Sequence, residues 1–381
     1  MWFFSSPSIV FGEDALSYLE ELPGRCALIV TDPTLHKLGF SDRIIERLKM
    51  AGVDTEVFAE VEPEPSVQTV YRGVDVLNRL QPDWIIGLGG GSAMDAAKAM
   101  WALYERPDLH PRRSHLSTPL GLHKKMKMIA IPTTSGTGSE ATWATVLTDV
   151  EEKRKLGLGN RELTPTIAIV DPSLTIELPA RITADTGLDA LTHAIEGYSA
   201  TFHSDFTDPL CLTAELVFAY LPIAVEQGAA DPEAREKMAN AATIAGLGFG
   251  NSLVGLAHAL GHSLGAAFHI PHGRAVSLFL PYVMEFNVNV GVGRYDDIAH
   301  ALRMDAADSP RALIESVRAL QKRVGQPTTL AELGISAARL EEAMEVLCMH
   351  AISDNSIVAA PSDGLGRCRE VVSLRFGGQN C

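Results

Sequence analysis

The sequence predicts an α/β domain built on a mostly parallel sheet, followed by an all-helical domain. Three observations carry this. Up to about residue 170, short apolar runs alternate with amphipathic stretches, the pattern of a parallel sheet covered by helices. After Pro179 the strand signals stop, and Ala/Leu-rich segments with helical periodicity take over. At 381 residues the chain also exceeds the size at which one hydrophobic core keeps growing. The boundary falls near Leu178, giving domains 1–178 and 179–381.

Within the first domain, residues 26–31 (CALIVT), 55–58, 84–88 (WIIGL), 128–131 (MIAI) and 167–170 (IAIV) are the strand candidates. Helices are expected over 41–50, 66–80 and 92–103 between them. In the second domain helical periodicity covers 185–199, 209–225, 231–249, 309–324 and 337–351.

Composition narrows the function classes. With 46% hydrophobic and 21% charged residues the chain is an ordinary globular protein. A formal charge of -15 argues against a nucleic-acid partner, which needs clustered Lys and Arg to displace counterions. The one basic cluster, 112–127, reads as a solvated surface loop. Five widely spaced cysteines form no C-x-x-C pair, so reduced thiols in a cytoplasmic protein are expected. The N-terminus lacks the basic start of a signal peptide. Residues 241–268 are long and uncharged enough for a bilayer, but Asn251, His258 and His262 interrupt them; a buried helix or a broken pair of helices is expected, and no membrane.

Strand 84–88 runs into Gly89-Gly90-Gly91-Ser92 and then into a helix containing Asp95. Glycines let backbone amides approach phosphate oxygens, and the helix N-terminus adds orphan N–H groups and the positive end of its dipole. The turn is neither G-x-G-x-x-G nor a P-loop, and tight packing alone could account for it. A second turn, PTTSGTGSE (132–140), follows strand 128–131, and its hydroxyls suit phosphate and ribose at the carboxyl edge of such a sheet. Together the two turns can cradle a pyrophosphate, with an N-cap cluster for the next helix the alternative for part of the second.

Asp189 and His193 stand at i and i+4 in TGLDALTHAIE (186–196), so a helix projects both from one face. His258 and His262 repeat that spacing inside the apolar stretch, and His272 follows in Pro271-His272-Gly273, where proline is expected to stop the helix. Imidazoles buried among Ala, Leu and Gly need partners, and a divalent cation satisfies a carboxylate and neutral imidazoles together. Such donors suit Fe(II) or Zn(II) and disfavour Mg(II) and Ca(II), which prefer oxygen.

With GGGSAMDAAK (89–98), IPTTSGTGSEAT (131–142), IVDPSL (169–174), TADTGLDALTHAIEGY (183–198) and GLAHALGHSLGAAFHIPHG (255–273) in this order, the chain resembles the iron-containing, group III alcohol dehydrogenases. That family includes lactaldehyde:propanediol and 1,3-propanediol dehydrogenases. The resemblance implies a dinucleotide-binding α/β domain and an all-helical metal domain. It makes Asp189, His193, His258 and His272 the metal ligands and His262 a neighbouring proton-transfer group; His269 has no match in the family's pattern and reads as structural or lining. It places Gly90, Gly91, Ser92, Thr133, Thr134 and Thr137 against the cofactor, with Gly89 and Asp95 in the same turn and Lys155 near the ribose. Asp32 matches the acidic residue that holds the adenosine ribose, and a carboxylate there would repel a 2'-phosphate, so NAD is expected over NADP. Segments 104–127 and 354–381 depart from the family's patterns, which withholds any inference about substrate identity.

The resemblance implies hydride transfer between nicotinamide and a small alcohol or aldehyde polarised by the metal, in a homodimer or higher oligomer. The rival readings are a hydroxyacid-oxoacid transhydrogenase or polyol dehydrogenase of the same superfamily, a dehydroquinate synthase type of lyase, and a non-catalytic NAD sensor. The H-x-x-x-H and P-H-G string disfavours the lyase, and the intact ligand set disfavours the sensor.

Overall fold

A computed structural model describes residues 3–110, 119–151, 154–304, 307–356 and 371. Residues 112–118 of the basic cluster, Cys368 and Cys381 lie outside the described residues. The chain divides into two compact units, Met1–Glu177 and Leu178–Cys381.

The first unit runs β1 (Ser8–Phe11), β2 (Cys26–Val30), α1 (Pro33–Lys37), α2 (Phe40–Met50), β3 (Asp54–Phe58), α3 (Val67–Leu80), β4 (Trp84–Gly89), α4 (Gly91–Glu105), β5 (Lys127–Pro132), β6 (Ala144–Asp149), β7 (Arg154–Gly159) and β8 (Ile167–Val170). Six strands form one sheet in the order β1-β8-β5-β4-β2-β3, every neighbour parallel. β4 and β8 are buried at every residue, as strands covered on both faces must be. The pleat divides the core in two. Leu28, Val30, Ile85, Met128 and Ala130 pack with α3 and α4, while Ala27, Ile29, Ile86, Leu88, Ile129 and Ile131 pack with α2.

Three strands carry no clear sequence signal. β1 is an edge strand with no fully buried residue, and its apolar run is only Ile9-Val10-Phe11. β6 and β7 form a separate antiparallel hairpin, in which β6 alternates buried and half-buried residues.

The second unit contains α5 (Ala180–Ser199), α6 (Asp208–Cys211), α7 (Ala214–Gln227), α8 (Pro232–Ser252), α9 (Leu256–Phe268), α10 (His272–Asn289), α11 (Tyr295–Ala301), α12 (Ser309–Arg323) and α13 (Ala337–Ser353). The expected helix 209–225 is divided at Leu212 and Thr213. Asp208–Ala230 is long and apolar enough to cross a bilayer by composition alone, yet α7 packs against α5 and α8 through Ala214, Val217, Leu221 and Ala224. The stretch 241–268 is the broken pair: α8 and α9 meet at a bend of 105°. Leu253 makes that bend at φ 68, ψ 178, a region costing a side-chain-bearing residue about 1–3 kcal/mol.

One expectation is corrected. Pro271 does not stop the second histidine helix; α9 ends at Phe268, where His269 takes a left-handed conformation (φ 55). Pro271 is instead the N-cap of α10, and His272 is that helix's first residue.

Candidate metal centre and dinucleotide turn

Asp189, His193 and Glu196 lie on one face of α5 at i, i+4 and i+7, and all three are buried. α9 brings His258 to the same point and the start of α10 brings His272. One ligand atom from each of Asp189, His193, His258 and His272 lies within 4.8 Å of all the others. Asp189 Oδ1 is 3.8 Å from Nε2 of His193, 3.8 Å from Nε2 of His258 and 3.4 Å from Nε2 of His272. Donors held about 2.0–2.2 Å from a common cation lie at most about 4.4 Å apart, and these three distances fall within that limit.

Asp189 Oδ1 and His258 Nε2 are buried and have no hydrogen-bond partner among the described residues. Such orphans cost roughly 1–3 kcal/mol each, more for a charged group. A divalent cation removes both costs, so the residues fit the metal. Burial pushes the Asp189 carboxyl up, but the charges of His193, His272 and His258 outweigh it and hold it well below the usual range. His272 is shifted down by burial, which favours the neutral imidazole that a metal requires.

Glu196 orients the centre from behind. Its Oε2 accepts from His258 Nδ1 at 2.6 Å, so the ring carries its proton on Nδ1 and turns the Nε2 lone pair to the ligand cluster. The same carboxylate accepts from the backbone N–H groups of Gly255 (3.0 Å), Ala257 (2.6 Å) and His258 (3.2 Å), capping α9 just after the bend at Leu253. His193 is fixed by stacking between Phe249 (ring centroids 3.9 Å apart) and His258 (4.6 Å).

His272 is placed by a glycine and an ion pair. A Cβ on Gly273 would lie 2.2 Å from the Asp185 carbonyl oxygen, so only glycine lets α10 approach α5 this closely. Arg274 then donates to both carboxylate oxygens of Asp185, at 2.9 and 2.8 Å. His262 stays outside the ligand cluster, its ring stacked near His272 with centroids 5.1 Å apart. Its Nδ1 donates to Asp354 Oδ2 at 2.9 Å. Burial raises the Asp354 carboxyl, but His262 and the Ser356 N–H bring it down to about 2.

In the first unit, β2 connects to β3 on one side while β4 lies on its other side, so the sheet's switch point is at the carboxyl ends of β2 and β4. Asp32 and Gly89–Gly91 stand there. Asp32 caps α1, with Oδ1 accepting from Thr34 N and Leu35 N, and Oδ2 lies toward Gly89. Gly90 caps α4 without any side-chain bond, leaving that N-terminus open to an anion. The hydroxyl-rich loop lies alongside: a Cβ on Gly91 would be 3.1 Å from Thr137 Cγ2, and one on Gly90 3.5 Å from Thr134 Oγ1. Thr134 Oγ1 is buried with no hydrogen-bond partner among the described residues. Thr133, buried, anchors the loop through its N–H to Gly89 O. Glu64 joins two more candidates, donating its N–H to Ser92 Oγ at 3.2 Å and pairing with Lys155 Nζ at 2.6 Å.

Against known proteins, the profile of the iron-containing alcohol dehydrogenases matches residues 6–172, and that of the same family's C-terminal part matches 183–365. The chain belongs to the iron-containing alcohol dehydrogenase family. It is 41% identical over 354 residues to an NADPH-dependent butanol dehydrogenase of Clostridium saccharobutylicum, covering 91% of this chain and 90% of that one. It is 36% identical to an NAD-dependent methanol dehydrogenase of Bacillus methanolicus, covering 92% and 93%. Of the aldehyde-alcohol dehydrogenases it matches, the chain spans less than half the length, 34% in Entamoeba histolytica. Its structure resembles that of a 1,3-propanediol oxidoreductase with a TM-score of 0.91 at 32% identity, covering 99% of this chain and 100% of that one.

In this iron-containing alcohol dehydrogenase Asp95, expected at the cofactor turn, turns its carboxylate to the hydroxyl loop and the hairpin. Asp95 Oδ1 accepts from Ser139 Oγ (2.7 Å) and Oδ2 from Val146 N (2.8 Å). Fully buried Lys98, one turn along α4, donates to Ser139 O (2.7 Å), Ser139 Oγ (2.9 Å) and Ala144 O (3.0 Å). Both residues therefore face the hydroxyl loop and the hairpin. Glu196 was detectable as the i+7 member of a polar stripe on an apolar helix. Asp354 and Glu64 had no comparable signal, because each meets its partner only through tertiary contact.

Proposed function

We propose that the chain is an NAD(H)-dependent alcohol dehydrogenase or aldehyde reductase that uses Fe(II), or Zn(II) with the same donors, on Asp189, His193, His258 and His272. One observation carries the reading: four donor atoms converge within 4.8 Å, with a carboxylate oxygen and an imidazole nitrogen unpartnered among the described residues. When bound, the ion supplies Lewis acidity toward a small alcohol or aldehyde, and the nicotinamide accepts or gives the hydride. The chain's own residues do the rest. Glu196 sets the His258 ring, Gly273 and the Asp185–Arg274 pair seat His272, and His262 moves the substrate proton.

Residues 1–178 hold the dinucleotide and residues 179–381 the metal in this reading. Gly89, Gly90, Gly91 and the α4 N-terminus take the pyrophosphate, with Ser92, Thr133, Thr134 and Thr137 at its flanks. Asp95 acts indirectly, by bracing the hydroxyl loop, and Lys155 reaches the ribose from its pair with Glu64. The Asp32 carboxylate supports NAD over NADP. The NADPH-dependent butanol dehydrogenase supports the opposite preference, so the two must be compared directly. A homodimer or larger assembly in the cytoplasm completes the proposal, and the charge of -15 supports the absence of a nucleic-acid partner. The ligand set disfavours a non-catalytic NAD sensor.

The test is NADH and NADPH oxidation with a panel of small aldehydes, after adding Fe(II) or Zn(II) to metal-free protein. Metal-dependent turnover with NADH is expected. NADH binding without turnover under either metal contradicts the enzyme reading, and a higher catalytic efficiency with NADPH contradicts the cofactor assignment. In the same assay His262→Ala is expected to slow turnover with metal content near normal; equal loss of metal would make His262 a ligand.

A further inference from the structure

His262 and Asp354 lie 92 positions apart in sequence, yet His262 Nδ1 and Asp354 Oδ2 are 2.9 Å apart in a half-buried environment. The backbone delivers Asp354 to this point with little freedom. Asp354 is the C-cap of α13, its N–H donating to Ala351 O at 3.3 Å, and its Oδ1 accepts from Ser356 N at 2.8 Å. α13 is tied to α9 beside His262, because Ser263 Oγ donates to Leu347 O at 2.8 Å and the two helices share one apolar core. The carboxylate thus has one oxygen spent on the backbone and the other turned to the imidazole.

We infer that Asp354 is the positioning residue for His262: it fixes the ring with its proton on Nδ1 and so keeps Nε2 as the proton-accepting nitrogen. The inference rests on the proposed proton-handling role of His262. A carboxylate is an acceptor only, so the ring nitrogen facing it must donate. On oxidation the alcohol O–H bond breaks and its proton goes to Nε2, while the carbinol C–H bond breaks, its hydride goes to the nicotinamide, and the C=O bond forms. The resulting imidazolium keeps its Nδ1–H on Asp354, which stabilises the charge it has gained. Reduction runs the same steps backward. Asp354 carries no sequence signal of its own, because it meets His262 only in the folded chain.

The test uses the full chain loaded with Zn(II), which is diamagnetic, with [15N]histidine labelling; the imidazole signals lost in His262→Asn identify that ring. Wild type is expected to show the Nδ1–H tautomer at His262. Asp354→Asn and Asp354→Ala are expected to give a mixture, because an amide donates as well as accepts and a methyl does neither. In both variants kcat is expected to fall about 10- to 100-fold, the usual range for losing such an orienting partner. Metal content and the KM for alcohol should stay close to wild type, and Asp354→Glu should recover part of kcat. An unchanged tautomer in Asp354→Asn overturns the inference, as does a loss of metal that parallels the loss of turnover. Unchanged turnover in His262→Asn overturns the proton-handling role instead, and the tautomer measurement still decides the orientation claim separately.

Discussion

The Glu196 carboxylate holds the His258 imidazole at 2.6 Å while capping the helix that carries it. Aiming the ligand and starting α9 are therefore the work of one side chain. Glu196→Gln puts an NH2 among donors and leaves one oxygen for four N–H groups. Metal affinity is expected to fall about 10- to 100-fold, measured by competition with a chelator. Unchanged affinity would mean that the hydrogen bond does not orient His258.

Gly273→Ala tests the close approach of α10 to α5. The added methyl would meet backbone atoms of Asp185 at 2.2 and 2.9 Å, which cannot swing aside as a flexible side chain can. A stability loss of about 1–3 kcal/mol is expected, with bound metal lost as His272 is displaced. Denaturant unfolding and metal analysis on the same sample check both. Normal stability with full metal occupancy would show that α10 has slack the structure does not reveal.

Lys98 gives a pH signature. Burial brings its amine down to about 8, with Asp95 and Glu140 partly opposing that shift. Between about pH 8 and 10.5 the unfolded chain keeps the proton that the folded chain has released, so stability owed to this residue rises with pH across that window. Below pH 8 both states are protonated and the contribution is flat. The difference in unfolding free energy between wild type and Lys98→Met should move in favour of wild type across the window, by an amount on the order of 3 kcal/mol. A difference that does not vary with pH there would mean Lys98 keeps its ordinary pKa.

Asp32→Gly removes the carboxylate that faces the Gly89 turn. The ratio of kcat/KM with NADPH to that with NADH is expected to rise about tenfold or more, because like charges brought together cost several kcal/mol. Steady-state kinetics with both cofactors measure it. An unchanged ratio would place the 2'-hydroxyl of the ribose away from Asp32.

The fold was legible where burial is two-sided or periodic. β4 reads as WIIGL because both faces are covered, and α5 shows its ligands because they share a helical face. β1 was not legible, because an edge strand needs no buried run, nor was the α6/α7 break, where composition continues unchanged. The His258–His272 relation was visible as residues and spacing, but its mechanism was not. Proline alone suggests a stop, whereas the chain turns on left-handed His269 and uses Pro271 to begin α10. Partners distant in sequence, Asp354 for His262 and Arg274 for Asp185, appear only when the chain is folded.

Fe(II) titration of the metal-free chain tests most directly whether Asp189, His193, His258 and His272 hold one catalytic divalent ion. Anaerobic calorimetry with elemental analysis should find one ion per wild-type chain, with binding abolished in His193→Ala and His258→Ala but retained in His262→Ala. Undiminished stoichiometry and affinity in His193→Ala and His258→Ala would contradict the account, because the ion would then be held elsewhere.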